Sequence, residues 1–270
     1  MKSAGNAVAL AALLFLIVRI LGSTLSGIAA EITVMLLSVL LPAALLYAIG
    51  YLRGGRELLL LPRRSALAYL PLLPPFILAV GLLAMLSTLL AEKMGLNRTV
   101  LPSGSLALVI LTSALLPALV EELLCRFLCL HPFRESRAAA VWLSASVFAA
   151  LHMNVAQLPY AFGAGIFLGA LTVASGSLWL AVLFHFTNNL LSLLLWYFPI
   201  GSVGFTVILT VYLSSLAVSL LLFIRKECRT ALQGLWQSIL LRHRDRQIVR
   251  GAFLSLFSVP ILFCLLISFL

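Results

Sequence analysis

The sequence predicts an all-α protein, a polytopic bundle of transmembrane helices. Hydrophobic residues make up 63% of the 270 residues, charged residues make up only 10%, and the mean hydropathy is +1.17. In an average soluble domain about 25% of the residues are charged, and a soluble chain of this length must cover its surface with polar groups. The composition therefore excludes a soluble domain and favours an integral membrane protein.

Apolar segments long enough to cross a bilayer core, about 20 residues each, follow one another along most of the chain. They are residues 5–22, 27–51, 66–91, 104–130, 138–154, 159–175, 177–198, 202–224 and 251–270. Since two of these nine segments are short, we expect about eight to nine spans in one integral-membrane domain, residues 1–270. The first segment is longer than the apolar core of a typical signal peptide, so we expect it to be a retained helix.

The distribution of Lys and Arg predicts the orientation in the membrane, because cytoplasmic connections are enriched in these residues. The chain has 18 of them and a formal net charge of +10. With a cytoplasmic N-terminus, the outer connections hold only Lys93 and Arg98. The inner connections then hold Lys2, Arg53, Arg56, Arg63, Arg64, Arg134, Arg137, Arg225, Lys226, Arg229, Arg242, Arg244, Arg246 and Arg250. We therefore expect a cytoplasmic N-terminus. No basic run is combined with stacking aromatic residues, so we expect no nucleic-acid partner.

The basic stretch 225–250 carries the apolar spacing of an amphipathic helix, with apolar residues at i, i+3, i+4, i+7 and i+8. They are Leu232, Leu235, Trp236, Ile239 and Leu240. The pattern fits a helix on the cytoplasmic membrane surface against anionic lipid, and it fits equally a helix packed on the spans. In the sixth segment, Gly165 and Gly169 form a GxxxG pattern, which lets helices approach closely. We interpret it as a packing feature.

Ionisable side chains inside membrane spans are costly and usually functional. The fourth segment contains Glu121, Glu122 and Arg126. Glu122 and Arg126 are four residues apart, so they can pair on one helix face. Glu121 is turned about 100° away and has no partner on its own helix. A buried carboxylate without a local partner is a candidate general acid or base, and a structural charge network is the alternative.

Two further polar pairs lie inside apolar segments at the same spacing. Phe148 precedes His152 by four residues, and His185 precedes Asn189 by four. This spacing brings each pair to one helix face, one turn apart. A lone buried His is usually structural, but two of them near an unpaired Glu predict a shared polar site.

The segments EELLCR, FAALH and HFTNN resemble the three motifs EExxxR, FxxxH and HxxxN of the CPBP family. This family comprises CAAX-prenyl and bacteriocin-processing intramembrane proteases, also called Abi proteins. The motifs span residues 121–189, within a predicted catalytic core of about 104–198. The resemblance implies a membrane endopeptidase with a site that opens toward the cytosol. The short loops of the chain favour a prokaryotic plasma membrane.

The resemblance also implies a role for each motif residue. Glu121 and His152 would activate a water molecule, and His185 and Asn189 would stabilise the oxyanion of the tetrahedral intermediate. Glu122, Arg126 and Phe148 would support the site. These roles suit peptide hydrolysis, which needs a base for water and donors aimed at the developing negative charge. The substrate would be a peptide or a membrane protein, cleaved without a cofactor.

Several alternatives stay open at this stage. Glu121, His152 and His185 could bind zinc and leave a fourth position for water, although there is no HExxH motif. Cys125 could act as a nucleophile, but the nearby carboxylates disfavour its thiolate. A transporter could use the same residues as a proton relay. A membrane scaffold or bacteriocin-immunity protein could keep the protease fold without catalysis. The oligomeric state is left open.

Overall fold

The computed structural model describes residues 2–22, 24–25, 27–51, 64–96, 104–130, 133, 136–198, 201–255 and 258–269. Within these ranges the protein is helical and has no β-strand. The helices are α1 (Lys2–Gly22), α2 (Ile28–Ala48), α3 (Leu73–Lys93), α4 (Leu106–Cys129), α5 (Arg137–Ala150), α6 (Leu158–Ser175), α7 (Leu178–Tyr197), α8 (Ser202–Leu222), α9 (Lys226–Ile239), α10 (His243–Phe253) and α11 (Ser258–Phe269). A 3₁₀ segment, Arg64–Leu72, leads into α3. The predicted all-α fold class is confirmed.

Six helical segments of the described chain are long and apolar enough to cross a membrane. They are Gly5–Gly22, Ile28–Ala48, Ala66–Lys93, Leu106–Cys129, Leu158–Ser175 and Leu178–Tyr197. Two bent pairs raise the count to eight: α8 with α9, bent by 95°, and α10 with α11, bent by 63°. The protein is therefore an integral membrane protein. The described helices allow six to eight spans, and the predicted number of eight to nine agrees with the upper value.

The main difference from the predicted spans is α5. Residues 138–154 were expected to span, but α5 ends at Ala150 after 14 residues. At 1.5 Å per residue it is about 21 Å long, which is short of a hydrocarbon core of about 30 Å. Residues 151–157 form a non-helical connection to α6. Non-helical backbone at membrane depth is tolerated where it lines a polar cavity.

The basic end of the bundle is where α5 begins and α6 ends. The α9 helix packs there, since Trp142 of α5 donates from Nε1 to the carbonyl of Ile239 at 2.9 Å. Asp245 of α10 accepts a hydrogen bond from Ser136 at the start of α5. The basic residues at this end include Arg137, Arg225, Lys226, Arg229, Arg242, Arg244, Arg246 and Arg250. The opposite end holds the connection 151–157, the last turn of α3 and the last turn of α7.

The amphipathic helix α9 has two apolar faces. One face packs on the bundle through Ala231 and Leu235, which are buried. The other keeps Leu232, Trp236 and Leu240 exposed. The predicted apolar stripe is therefore divided between the bundle and the outside, and contact of its exposed side with the membrane surface stays a prediction.

The GxxxG pattern brings α6 close to α5. A Cβ atom at Gly165 would lie 3.0 Å from the Cα atom of Ala145 and 3.3 Å from a ring carbon of Phe148. At Gly169 the nearest atom, in Val141, would lie at 3.4 Å. The interpretation of this pattern as a packing feature is confirmed within the chain, and the contact positions Phe148 beside the candidate site.

Candidate active site

A cavity of about 560 Å³ lies between α3, α4, α6, α7 and the connection 151–157. The described structure brings to its wall all four residues predicted as catalytic, namely Glu121, His152, His185 and Asn189. Phe148 also lines it, whereas Glu122 and Arg126 are fully buried behind the wall. The sequence thus predicts both the residues that meet and the residues that lie behind them.

The pairing predicted within α4 is present. Arg126 donates from Nε to Oε2 of Glu122 at 2.8 Å, and both side chains are fully buried. Arg126 also donates from Nη1 to Oγ of Ser144 on α5 at 2.7 Å, and Ser144 donates to the carbonyl of Cys125 at 2.8 Å. Buried charges need such partners, because an unpaired one costs several kcal/mol. This network ties α4 to α5 at the depth of the cavity.

The helix α4 widens into π-helical turns on both sides of the carboxylate pair, at Leu111–Leu115 and Leu123–Cys129. Pro117 has no N–H group and its ring crowds the preceding turn, which accounts for the first widening. Wide turns of this kind are frequent at functional sites. They leave Glu121 on the cavity side, with a quarter of its side chain exposed, and Glu122 on the buried side.

The Phe148 ring packs against three functional groups. Its centroid lies 5.0 Å from that of His152, 5.4 Å from that of His185 and 5.0 Å from the guanidinium carbon of Arg126. Both histidine rings meet it edge to face, an arrangement that favours fixed ring orientations. The FxxxH motif therefore supplies a spacer between the two histidines.

The hydrogen bond of His152 identifies its tautomer. Nδ1 lies 2.8 Å from the carbonyl oxygen of Phe148, and a carbonyl can only accept, so Nδ1 carries the proton. In the neutral ring Nε2 is then free to accept a proton. The next residue, Met153, has a φ of 46°, which is unusual for a side chain of this size. His152 and Asn154 line the site cavity, whereas Met153 lines a second cavity beside the α1–α2 turn.

The ring of His185 lies between the two carboxylates. Nδ1 is 2.9 Å from Oε1 of Glu122, and Nε2 is 4.0 Å from Oε2 of Glu121. Because Nδ1–H donates to Glu122, Nε2 can donate to a ligand only when the ring is an imidazolium. The two carboxylates provide the negative charge that such an ion requires.

Several polar residues of the cavity were not predicted from the sequence. They are Thr88, Ser113, Asn154, Gln157, Tyr160, Asn188 and Ser192. Tyr160 lines the same cavity as Glu121, and its hydroxyl has no hydrogen-bond partner among the described residues. A Tyr at the start of a predicted span is a common interfacial residue, so the sequence offered no signal of its place in the site.

The structure also bears on the alternative chemistries. Among the described residues, no group of three His, Cys, Asp or Glu side chains is arranged to hold a metal ion. Cys125 is buried and lies outside the lining of the cavity. A thiol in that position has no access to a substrate in the cavity.

The cavity lies in the half of the bundle away from the basic end. Along α7 it extends from His185 to Trp196 in the last turn, roughly 16 Å at 1.5 Å per residue. On α3 it reaches Thr88, and at the connection it reaches Gln157. The sequence predicts a cytoplasmic N-terminus, and the family resemblance implies a site that opens toward the cytosol. With a cytoplasmic N-terminus, this half of the bundle faces away from the cytosol, so these two predictions are alternatives.

Comparison with known proteins agrees with the motif resemblance. No curated protein and no solved structure matches the chain. The match to a protein family covers about a third of the chain, from the start of α4 to α7, and includes all three motifs. Residues 103–191 match the family model described as "Type II CAAX prenyl endopeptidase Rce1-like", which confirms the predicted resemblance for this segment.

Proposed function

We propose that the protein is an intramembrane endopeptidase that hydrolyses a peptide bond of a membrane-associated or peptide substrate. The observation that carries this proposal is the shared cavity of Glu121, His152, His185 and Asn189. The family match over the same segment supports the reaction class. The catalytic core would be residues 104–198, in the plasma membrane of a prokaryotic cell.

Glu121 and His152 would activate the water molecule. Glu121 has a carboxylate open to the cavity, while the neighbouring Glu122 is occupied by Arg126 and His185. His152 donates from Nδ1 to a backbone carbonyl, which leaves Nε2 as an acceptor. A base in this position contributes about 10²–10⁴-fold to such reactions.

His185 and Asn189 would stabilise the oxyanion. They lie one turn apart on α7 and line the same cavity. Asn189 offers an amide N–H group, and His185 offers Nε2–H in its imidazolium form. Glu122 would hold the ring through Nδ1, so this buried carboxylate would orient a donor rather than touch the substrate.

The reaction would proceed in two steps. The water oxygen bonds to the carbonyl carbon as Glu121 or His152 takes its proton, and the carbonyl oxygen becomes an oxyanion. The C–N bond then breaks, the carbonyl re-forms, and the same base returns the proton to the leaving amine. We propose that no metal takes part, with zinc on Glu121, His152 and His185 as the alternative.

The test is a comparison of peptide termini in cells that express either the wild type or Glu121→Gln at equal levels. Glu121 should be required for a set of new N- and C-termini, and these identify the substrates. Equal sets of termini, with both proteins inserted, would contradict the proposal and favour a scaffold or immunity role. In that case the Glu122–Arg126–Ser144 network would be purely structural.

A further inference from the structure

We propose that a second cavity, beside the turn between α1 and α2, binds the headgroup of a phospholipid that carries a phosphate and a primary ammonium group. This cavity has a volume of about 510 Å³, within the range of about 300–1,000 Å³ that is common for small-molecule sites. It is separate from the candidate active site, because the two cavities share no lining residue. Met153 lines it, next in sequence to His152 of the site cavity. The inference does not depend on the proposed function.

The cavity forms where α1 ends and α2 begins. The end of α1 lies close to α2, since a Cβ atom at Gly22 would overlap the side chain of Val34. Gly27, which precedes α2, has a φ of 99°, a conformation that residues with a side chain rarely adopt. Both glycines line the cavity. The shape of this part of the wall therefore depends on the absence of a side chain at these two positions.

Two opposite charges line the cavity without a partner from the chain. Arg19 lies in the last turn of α1, and Glu31 lies in the first turn of α2. Within the described parts of the chain, neither side chain forms a hydrogen bond or an ion pair with the other or with any third residue. A guanidinium group can bind a phosphate through two parallel hydrogen bonds, and a carboxylate accepts hydrogen bonds from an ammonium group. The two side chains are therefore complementary to a zwitterionic headgroup.

Apolar residues complete the rim of the cavity and indicate that the ligand is a lipid. Ile20, Leu25 and Ile28 line the cavity, and 39%, 62% and 50% of their respective surfaces are exposed. They lie at the ends of two helices that are long and apolar enough to cross a membrane. Acyl chains can cover these residues while the headgroup lies between Arg19 and Glu31. A soluble phosphate compound would leave this apolar surface uncovered.

The two charges also distinguish phospholipids by their headgroups. Phosphatidylethanolamine offers a phosphate to Arg19 and an ammonium group to Glu31. Phosphatidylglycerol offers the same phosphate but no cationic group, so Glu31 repels its net negative charge. The cavity therefore favours phosphatidylethanolamine, although the chain as a whole is strongly basic.

Lipid titrations of the purified full-length protein test the inference. Native mass spectrometry in detergent measures the affinity for phosphatidylethanolamine and for phosphatidylglycerol after the endogenous lipid has been removed. The variants are Arg19→Gln and Glu31→Gln. Lys93→Gln is the matched control, since it removes a positive charge from the last turn of α3, outside the cavity. Phosphoethanolamine, which has the headgroup charges but no acyl chains, tests whether the ligand is a lipid or a soluble compound.

We expect the wild type and Lys93→Gln to bind phosphatidylethanolamine about fivefold more tightly than phosphatidylglycerol, the factor that one charge contact at a lipid headgroup contributes. Arg19→Gln should bind both lipids about fivefold more weakly, and Glu31→Gln should bind the two lipids with equal affinity. Equal affinity of the wild type for both lipids, or unchanged lipid binding by Arg19→Gln, would overturn the inference. Binding of phosphoethanolamine as tightly as the lipid would also overturn it and assign the cavity to a soluble zwitterion.

Discussion

Nδ1 of His185 lies 2.9 Å from Oε1 of Glu122, and Nε2 of the same ring lies 4.0 Å from Oε2 of Glu121. One imidazole thus connects two adjacent carboxylates that have different surroundings. Glu122 is fully buried and paired with Arg126, whereas Glu121 keeps a quarter of its side chain exposed. We therefore expect loss of each carboxylate to have a different consequence.

Glu121→Gln should lower kcat by about 10²–10⁴-fold, because the amide keeps the shape of the side chain but cannot accept a proton. The buried network of Glu122 and Arg126 would be unchanged, so the melting temperature in detergent should stay close to that of the wild type. Single-turnover cleavage of a substrate identified by its termini measures the effect. Wild-type turnover by this variant would show that Glu121 is not the base.

Glu122→Gln is the matched variant one residue further along. It leaves Arg126 buried without its counter-charge, and breaking a buried pair in this way costs about 3–5 kcal/mol. We expect a clear loss of thermal stability and of protein yield. If Glu122→Gln is as stable as the wild type, the buried network does not hold α4 and α5 together.

Part of the arrangement of these motif residues can be predicted from the sequence because its signal is local. Glu122 and Arg126 pair at four-residue spacing within one helix, so their partnership follows from helix geometry alone. The same holds for the span-length segments, whose hydropathy reflects the bilayer. The link between His185 and Glu122 joins residues 63 positions apart, and it was not predicted from the sequence.

Other features depend on tertiary packing and left no such signal. The end of α5 at Ala150 was missed because the apolar composition continues to Met153, while the backbone turns to line the cavity. Tyr160 and Gln157 were missed because a polar residue beside a span is ordinary at a membrane interface. The direction of the cavity required the packing of α3, α6 and α7 against one another.

Asn189→Ala should lower kcat by about 10²–10³-fold, as removal of one oxyanion donor does in other hydrolases. KM should change little, because the oxyanion forms only after the substrate binds. Asn188→Ala is the matched control, since this neighbouring residue also lines the cavity. Steady-state kinetics of the two variants separates their roles. Equal losses would show that neither amide is a dedicated oxyanion donor.

Tyr160→Phe should lower kcat by about tenfold, which corresponds to a hydrogen bond worth roughly 1.4 kcal/mol in the transition state. The phenol lines the same cavity as Glu121 and has no hydrogen-bond partner among the described residues. It is therefore available to donate to the attacking water or to the substrate. The Phe variant keeps the ring, so packing and melting temperature should be preserved. An unchanged kcat would mean that Tyr160 only fills space beside Glu121.

Removal of metal should leave the activity unchanged. The described residues contain no group of three His, Cys, Asp or Glu side chains arranged for a metal ion, and the proposed activation of water by Glu121 and His152 needs none. Purified protein is dialysed against a strong chelator and assayed before and after addition of zinc. Loss of activity that zinc restores would favour the zinc-dependent alternative on Glu121, His152 and His185.

Gly165→Ala should impair both stability and catalysis, because the added methyl group would lie 3.0 Å from the backbone of Ala145 and 3.3 Å from the Phe148 ring. Overpacking of this kind costs about 1–3 kcal/mol. Displacement of Phe148 would also move the two histidine rings that pack on it, so kcat should fall even at temperatures where the variant stays folded.

At Gly163 the added methyl group meets only the end of the Leu83 side chain, at 2.9 Å. Since that side chain can rotate away, Gly163→Ala should retain most of the stability and activity. Equal effects of Gly165→Ala and Gly163→Ala would contradict the role of Phe148 as the spacer between His152 and His185.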